Sequence, residues 1–247
     1  MKRRRKAARA RSRRRRGPRR ILVVLGAVLL VVLAATVVPV AALRWIHPIT
    51  TSFMTQRRIA AWWSGDRAYQ LRYRWIRWDE ISPHAGIAVV AAEDQKFPVH
   101  GGFDLEAIED ARREYEDGGR RRGASTISQQ VAKNLFLWPN RTWVRKGLEA
   151  YFTVLIEHLW SKRRILEVYL NVAEFGRGVF GVGAASEVFF DKPAARLTPG
   201  ECARLAAVLP NPMRLHADRP SAYVLEREGW ILGQMERLGG LAYLRGM

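Results

Sequence analysis

The longest uninterrupted apolar run of the chain covers residues 21–43, which contain no charged side chain. At 1.5 Å per residue, a helix of this length crosses a hydrocarbon core roughly 30 Å thick. Pro39 lies near one end of the run, where membrane helices tolerate a kink. The pattern predicts an uncleaved transmembrane helix. A cleaved signal peptide is the competing interpretation, which the long run and the extended basic region before it disfavour.

Beyond residue 80 the apolar positions recur mostly at helical spacing, with turn residues between the runs. Residues 71–78 differ, because apolar and basic side chains alternate there as in a short strand or extended segment. Four glycines between residues 176 and 183 predict a loop. The chain is therefore expected to be mainly α, with helices over residues 83–93, 105–117, 127–135, 143–161, 162–171, 182–190, 199–208 and 223–238.

Capping residues mark where these helices begin. A polar N-cap side chain accepts a hydrogen bond from the first turn, and Pro is favoured at the first helical position. A capping box adds an acid or amide three residues later that bonds the N-cap backbone. The predicted caps are Ser82 (followed by Pro83), Asp104, Thr126 with Gln129, Asn140 or Thr142, and Thr198 with Glu201.

The net charge of +19 is distributed unevenly along the chain. Residues 1–20 hold thirteen Lys or Arg and no acid, which leaves a net +6 on the remainder. This composition predicts a basic tail, disordered by self-repulsion, and no nucleic-acid-binding face. The positive-inside rule places the tail in the cytoplasm and residues 44–247 outside it. The single cysteine, Cys202, excludes an intrachain disulfide and a cysteine-rich metal site.

Residues 44–80 are rich in tryptophan, tyrosine and arginine. Trp and Tyr favour the water–lipid interface, and Arg pairs with lipid phosphates. Two interpretations stand side by side: a membrane-proximal segment that admits a lipid substrate, and a linker whose aromatic side chains pack on the main domain. The predicted division is a basic tail (1–20), a membrane helix (21–43), this membrane-proximal segment (44–80) and a main domain (81–240).

Two adjacent carboxylates, Glu93 and Asp94, follow the apolar run of residues 88–92 and precede a turn marked by Pro98 and Gly101. A Glu at the end of a buried helix is held rigidly and partly desolvated, as a general base must be. The alternative is an ordinary helix end with solvated acids.

The predicted helix after Thr126 carries polar side chains on one face. Gln129 and Lys133 are one turn apart, as are Gln130 and Asn134. A helix N-terminus favours an anion, and the basic, glycine-rich residues 118–123 before it suit phosphate. The pattern is typical of an anion-binding face and equally of solvated polar residues.

A second acid, Glu149, lies on a largely apolar helix one turn after Arg145. Either Arg145 neutralises it in a salt bridge, or it takes part in chemistry. Paired carboxylates are typical of glycosyl-bond chemistry, and nearby cations suit a phosphorylated leaving group. No pair of histidines has metal-ligand spacing, so a dedicated zinc site is not expected.

Five motifs occur in order along the chain. They are Glu93-Asp94-x-x-Phe97-x-x-His100-x-Gly102; Gly123-x-Ser125-Thr126-Ile127-x-Gln129-Gln130-x-x-Lys133-Asn134; Arg145-Lys146-x-x-Glu149; Lys162-x-x-Ile165-Leu166-Glu167-x-Tyr169-Leu170-Asn171; and Gly178-Val179-Phe180-Gly181 with Ala184-Ala185 and Phe189-Phe190-x-Lys192. Together they resemble the peptidoglycan glycosyltransferases, the family of monofunctional biosynthetic transglycosylases and of the corresponding domain in class A penicillin-binding proteins. The resemblance covers residues 48–215. Because the sequence ends at Met247, no transpeptidase domain is expected, which favours the monofunctional form.

The resemblance implies a lysozyme-like, mainly α fold that polymerises lipid II into glycan strands. Glu93 would be the general base for the acceptor's 4-hydroxyl as undecaprenyl pyrophosphate leaves with inversion. Glu149 would be the second catalytic carboxylate, near the pyrophosphate. The implied loop residues are Asp94, Phe97, His100 and Gly102, and the implied substrate-binding residues are Ser125, Thr126, Gln129, Gln130, Lys133, Asn134, Arg141, Arg145 and Lys146.

The resemblance implies no obligatory cofactor. A divalent cation, Mg²⁺ or Mn²⁺, at the pyrophosphate is compatible with it, with Glu149 as the candidate ligand. The implied partners are lipid II, the growing lipid-linked glycan, the membrane, and cell-wall synthases or division proteins, with no nucleic acid. The expected location is the bacterial cytoplasmic (inner) membrane, crossed once, with the catalytic domain outside the cytoplasm.

Two competing functions remain open. A lytic enzyme of similar fold would cleave glycan, but it needs an acid for the glycosidic oxygen and has little use for the cluster of Gln129, Lys133 and Arg145. A non-enzymatic, membrane-anchored cationic scaffold would bind anionic lipid without any chemistry.

Overall fold

The computed structural model describes residues 16–118, 125–140 and 142–247 of the chain. The chain divides into two compact units, Met1–Trp45 and Ile46–Met247. The finer division into four segments stays a prediction. Most of the predicted basic tail lies outside the described residues, as do Arg141 and all but the first residue of the basic glycine-rich loop.

The first unit is built around one long helix, α1 (Arg16–Ala42). Over Arg20–Ala42 its mean hydropathy is 3.2. By length and composition, it is the one helix in the described part of the chain that could cross a membrane. The apolar run therefore forms the predicted helix, and this helix is consistent with membrane anchoring.

The second unit is mostly helical, which confirms the predicted fold class. Its helices are α2 (Ser52–Trp63), α3 (Pro83–Glu93), α4 (Leu105–Glu116), α5 (Ile127–Phe136), α6 (Trp143–Leu159), α7 (Lys162–Val172), α8 (Gly181–Phe190), α9 (Pro199–Val208) and α10 (Ala222–Arg237). Its strands are β1 (Arg72–Tyr73), β2 (Glu174–Gly176) and β3 (Val179–Phe180). Short 3₁₀ turns occur at Trp78–Glu80, Ala194–Arg196 and Gly240–Leu244. Helix α2 was not among the helices that the hydrophobic pattern predicted.

Helix α3 lies within the core, because its sequence has almost no polar face. Residues 85–91 are all buried, and α7, α9 and α10 pack around them. Burying a Val or Ile side chain contributes roughly 1.5–3 kcal/mol, and α3 buries Ile87, Val89 and Val90. The C-terminal end of α3, where Glu93 lies, is therefore fixed by the core.

Helix α5 packs against α6 and α7 through its apolar face. Ile127, Val131 and Leu135 on this face are buried, as the spacing predicted. The predicted capping box is present: Thr126 Oγ1 accepts from the Gln129 N–H at 3.2 Å, and Gln129 Oε1 accepts from the Thr126 N–H at 3.0 Å. These bonds fix where α5 begins.

The other predicted caps are confirmed except for one. Asp104 caps α4, Thr142 rather than Asn140 caps α6, and the Thr198–Glu201 box caps α9. Ser82 occupies the N-cap position of α3, but its side chain makes no capping bond. Its hydroxyl instead donates to the Leu197 carbonyl at 2.8 Å, so the predicted N-cap position is confirmed but the side-chain capping bond is not formed.

A small sheet replaces the loop that the glycines between residues 176 and 183 predicted. Its strand order is β1-β3-β2, with β1 parallel and β2 antiparallel to β3. Strand β1 falls within residues 71–78, where the alternation predicted a short strand or extended segment. Strands β2 and β3 were missed, because strands of two or three residues leave no period-2 pattern in the sequence. Gly181 follows β3 with a φ of +81°, and a Cβ there would lie 2.5 Å from the Asn171 carbonyl oxygen. Only glycine fits this position without a shift of the backbone.

The aromatic residues between positions 44 and 80 divide into packed and exposed groups. Tyr73 and Trp75 are partly buried, and Trp75 stacks on His47 with 5.6 Å between the ring centroids. Trp62 and Trp63 at the end of α2 are 77% and 82% exposed. The packed group agrees with the linker interpretation, whereas the membrane-proximal interpretation stays a prediction for the exposed group.

Asn171 on α7 connects the segment after β1 to the core. Its Nδ2 donates to the Ile76 carbonyl at 2.9 Å, and its Oδ1 accepts from the Ile76 N–H at 2.8 Å. Asn171 has no exposed surface. The side chain thus satisfies both backbone polar groups of a buried residue that has no strand partner.

We expect Asn171→Ala to destabilise the protein by about 2–4 kcal/mol, because both backbone groups of Ile76 would lose a partner in the interior. Thermal unfolding should then occur roughly 5–15 °C lower. Asn211→Ala is the matched control, since the Asn211 side chain is exposed. Equal melting temperatures for the two variants would contradict this structural role of Asn171.

Candidate active site

The carboxylate of Glu93 stands at the C-terminal end of α3, with its side chain 16% exposed. Gln130 on α5 donates from Nε2 to Glu93 Oε2 at 2.8 Å. On the other side, Arg227 Nη2 on α10 lies 3.8 Å from Glu93 Oε1. Among the described residues none donates a hydrogen bond to Oε1, so this oxygen is available to accept a proton.

A hydrogen-bonded chain fixes the direction of the Gln130 amide. The hydroxyl of Tyr169, which is buried on α7, donates to Gln130 Oε1 at 3.2 Å. Burial raises the pKa of Tyr169 well above its ordinary value, and the negative charges of Glu93 and Asp94 raise it further. Tyr169 therefore stays protonated, and the Gln130 amide presents its NH₂ group to Glu93.

The protonation equilibrium of Glu93 is set by opposing effects. Burial raises its pKa above the ordinary value and is the largest influence. The hydrogen bond from Gln130 and the charges of Arg227 and Lys133 lower this pKa, while Asp94 raises it. The outcome is a raised pKa, so Glu93 binds a proton more strongly than a solvated glutamate does. This is the property that a general base needs.

Asp94 joins the loop after α3 to the start of α5. Its Oδ1 lies 2.8 Å from His100 Nε2, and its Oδ2 accepts from the Ile127 N–H at 2.9 Å. His100 Nδ1 accepts from the Gly102 N–H at 3.0 Å, so the ring proton is on Nε2 and is donated to Asp94. Thr126 Oγ1 in turn donates to the Gly102 carbonyl at 2.7 Å. These contacts give Asp94 and His100 a positioning role.

A second group of contacts supports the same loop from behind. Glu157 and Lys162 form a largely buried ion pair of 2.9 Å. Lys162 also donates to the His100 carbonyl at 2.6 Å and lies 4.6 Å from the centre of the buried Phe97 ring. Gly102 has a φ of +93°, and a Cβ there would lie 2.8 Å from the Glu157 side chain. A side chain at position 102 would therefore disturb this support.

The second predicted carboxylate, Glu149, is held by cations of its own helix. Arg145 Nη1 and Lys146 Nζ each lie 2.5 Å from a different oxygen of Glu149, which is almost fully buried. Lys133 on α5 is influenced by this cluster and by Glu93. Burial lowers the pKa of Lys133 most strongly, Glu149 and Glu93 raise it, and Arg145 and Lys146 lower it further. The charges of both predicted carboxylates thus act on one partly buried lysine.

The remaining predicted substrate-binding residues occupy different environments. Ser125 is exposed just before α5 and lines the cleft beside Glu93. Thr126 and Gln129 are committed to the capping box, and Asn134 is buried on α5. Arg141 lies outside the described residues.

The cleft beside Glu93 is bounded by helices from distant parts of the chain. Ala107 and Asp110 on α4 line one wall, and Trp230 on α10 lines another. The α4 helix has no buried residue of its own. It therefore contributes a surface to the cleft without belonging to the core.

The side chains of the candidate site that could ligate a metal ion do not favour a resident one. No group of three or more His, Cys, Asp or Glu side chains that could hold a metal occurs within residues 16–118, 125–140 and 142–247. Both oxygens of Glu149, the candidate ligand, are already paired with cations. These residues do not fit a bound divalent cation.

Sequence reasoning missed several residues that the structure brings to Glu93. Arg227 and Trp230 lie on the last helix, and Tyr169 had been assigned only to a buried stripe. Lys162 had been noted only as part of a motif. No local pattern marks such residues, because their partners lie in other helices.

Comparison with known proteins shows which family this sequence resembles. The family model described as Transglycosylase matches residues 60–236. Proteins named "Biosynthetic peptidoglycan transglycosylase" are similar over most of the chain. The one from Xanthomonas axonopodis pv. citri (strain 306) is 58% identical over 210 residues, 85% of each chain. The one from Klebsiella oxytoca is 59% identical over 196 residues, 79% of this chain and 81% of that protein. The one from Cronobacter sakazakii (strain ATCC BAA-894) is 58% identical over 194 residues, 78% of this chain and 80% of that protein.

The family resemblance carried by the five motifs is thereby confirmed, and the lysozyme-like fold class with it. The chain belongs to the transglycosylase family, whose members are glycosyltransferase enzymes.

Proposed function

We propose that this protein is a peptidoglycan glycosyltransferase that polymerises lipid II into glycan strands for cell-wall biogenesis. The observation that carries the proposal is the partly desolvated carboxylate of Glu93 with a partly buried cation, Lys133, in its electrostatic field. The first is suited to removing a proton, and the second to receiving a phosphorylated leaving group. Relatives named for peptidoglycan transglycosylation support the substrate class.

In the proposed reaction, Glu93 takes the proton of the 4-hydroxyl on the acceptor's N-acetylglucosamine. The free Oε1 is the oxygen placed to receive it, because Gln130 occupies Oε2. The acceptor oxygen attacks the anomeric carbon of the terminal N-acetylmuramic acid on the growing chain. The bond from that carbon to the pyrophosphate breaks, undecaprenyl pyrophosphate departs with the electron pair, and the configuration inverts.

The charge that develops on the pyrophosphate would be received by Lys133, Arg145 and Lys146. Arg145 and Lys146 are already paired with Glu149, so this carboxylate serves to hold the two cations in place. A pyrophosphate leaves without protonation far more readily than a sugar hydroxyl does. The arrangement of one base and several cations therefore favours synthesis over glycan cleavage, which requires a strong acid at the glycosidic oxygen.

The proposed location follows from charge and hydropathy. Basic residues dominate the sequence before α1, and the positive-inside rule puts that end in the cytoplasm. The second unit would then act outside the cytoplasm at the bacterial inner membrane, where its lipid-linked substrate is anchored. Other cell-wall synthases or division proteins are proposed partners on this basis alone.

Purified full-length protein is expected to polymerise lipid II and to leave finished glycan intact. Glu93→Gln should lower the polymerisation rate at least about a hundredfold, because a neutral amide cannot accept the acceptor proton. The melting temperature should change little. Polymer length and rate can be followed by gel separation of labelled glycan.

Glu116→Gln is the matched control for this variant. Glu116 is exposed on α4 and, among the residues that the structure describes, pairs with Arg112 on the same helix, so the control should polymerise at the normal rate. A normal rate for Glu93→Gln would remove Glu93 from the mechanism. Soluble fragments from finished glycan, with no polymer from lipid II, would establish the lytic alternative instead.

Lys133→Ala should weaken binding of a phosphoglycolipid inhibitor of the donor site by roughly tenfold to a hundredfold, since a charge-assisted contact to phosphate is lost. Fluorescence titration with labelled inhibitor measures this directly. Lys192→Ala is the control, because Lys192 pairs with Glu201 on α9. Unchanged affinity in Lys133→Ala would show that the donor phosphate binds elsewhere.

A reporter enzyme fused after Met247 tests the proposed topology. We expect activity from a reporter that works only outside the cytoplasm and none from one that works only inside it, because α1 crosses the membrane once. The reverse pattern would overturn both the orientation of α1 and the access to substrate.

A further inference from the structure

Arg227 approaches the candidate base from the last helix of the chain. Its Nη2 lies 3.8 Å from Glu93 Oε1, beyond hydrogen-bond distance but within the range of an ion pair. The Arg227 side chain is 23% exposed, so its charge is only partly screened by solvent. It faces the one oxygen of Glu93 to which no described residue donates a hydrogen bond.

This contact differs from an ion pair that holds helices together. The neighbouring residue, Glu228, receives two hydrogen bonds from Arg204 on α9, at 2.7 and 3.3 Å, which tie α9 to α10. Arg227 makes no comparable bond to Glu93, and its buried Nε has no hydrogen-bond partner within the described part of the chain. Its guanidinium lies 5.9 Å from the centre of the Trp230 ring in the wall of the cleft. The geometry directs a charge at Glu93 without tying the two side chains together.

A base in this position must satisfy two demands that conflict. Burial strengthens its hold on a proton, but burial also disfavours the ionised form that accepts the proton. A nearby cation relieves the second demand. A cation that stays beyond hydrogen-bond distance does not block the acceptor hydroxyl. At 3.8 Å, Arg227 leaves Oε1 without a hydrogen bond.

We propose that Arg227 is a positioning residue for the base: its fixed charge keeps the Glu93 carboxylate ionised and leaves Oε1 open to the acceptor. This inference rests on the proposed function, because it takes Glu93 to be the base. Arg227 itself is not assigned a contact with substrate.

Groups on two neighbouring helices and the next residue in the chain influence the protonation equilibrium of Glu93. Gln130 and Lys133 face it from α5, and Arg227 faces it from α10. Asp94 follows it in the chain, and the neutral Tyr169 lies behind Gln130 on α7. Arginine remains charged at any pH that proteins tolerate, whereas the pKa of Lys133 is lowered by burial.

The sign of the effect follows from these charges. Arg227 lowers the pKa of Glu93, against the larger upward effect of burial. Removing the charge of Arg227 should therefore raise the pKa of Glu93. A larger share of the enzyme would then carry a protonated, inactive base at a given pH. The loss of activity should be greatest at low pH and should vanish as the pH rises past the new titration midpoint of Glu93.

The first test measures Glu93 directly and needs no substrate. The carboxyl carbons of ¹³C-glutamate-labelled full-length protein in lipid nanodiscs are titrated by NMR, and Glu93→Gln identifies the Glu93 signal. We expect a higher titration midpoint in Arg227→Gln and in Arg227→Met than in the wild type, and a midpoint close to the wild type in Arg227→Lys. Arg204→Gln, which removes a cation from the same pair of helices, should leave the midpoint unchanged.

The second test measures kcat/KM for lipid II polymerisation against pH. In Arg227→Gln the loss should be roughly tenfold near pH 6 and within about twofold near pH 9, as expected for a base whose ionisation is the only property changed. Arg227→Lys should restore most of the rate at low pH.

The outcomes separate the two ideas. An unchanged Glu93 midpoint in the uncharged variants, or a loss of kcat/KM that is the same at every pH, overturns the role of Arg227. A variant that fails to fold is recognised by its melting temperature. In that case the Arg227→Lys variant, which retains the charge, decides. A Glu93 titration midpoint well above that of the wild type in this variant also overturns the role of Arg227. A wild-type protein that leaves lipid II unreacted overturns the proposed function, whereas the titration still reports whether Arg227 acts on Glu93.

Discussion

The hydrogen bonds of one buried carboxylate, Asp94, determine how the candidate site is assembled. Asp94 accepts hydrogen bonds from the His100 ring and from the first backbone N–H of α5, at Ile127. A desolvated charge is costly unless donors satisfy it, so these two bonds hold the end of α3 against the start of α5. Glu93 and Lys133, which lie on these two helices, are thereby brought close enough for their charges to influence each other. The candidate base and the candidate phosphate-binding lysine are thus positioned by a contact that neither of them makes.

Features that depend on contacts within one helix could be predicted from the sequence. The Thr126–Gln129 capping box joins atoms three residues apart, and the apolar spacing of Ile127 and Val131 is fixed by helix geometry, so neither depends on the rest of the fold. Ser82 shows where such reasoning ends. It has the right residue type before Pro83, yet its hydroxyl bonds a carbonyl more than a hundred residues away, and only the folded core brings that competitor close.

The candidate site was predictable as a set of residues but not as a set of contacts. Helix spacing places Gln129 and Gln130 on polar positions of α5, and it does not say what those positions meet. In the structure Gln129 completes the cap of its own helix, and Gln130 donates to Glu93. Glu149 is paired with Arg145, the outcome that the spacing left open. Arg227 was invisible for the same reason: nothing in the sequence of α10 reveals that it packs against the end of α3.

Burial disfavours the ionised form of both central charged groups of the site, Glu93 and Lys133, and it shifts their pKa values in opposite directions. Burial raises the pKa of Glu93 and lowers that of Lys133, so each group stands closer to its neutral form than it would in water. An anionic donor changes both equilibria: it stabilises the charge on Lys133, and it increases the affinity of Glu93 for a proton. The second effect strengthens the base but also threatens to protonate it before the acceptor arrives. A cation beside Glu93 that the donor does not neutralise opposes this early protonation. This explains why one base would need positive charge from two helices, from Lys133 on α5 and from Arg227 on α10.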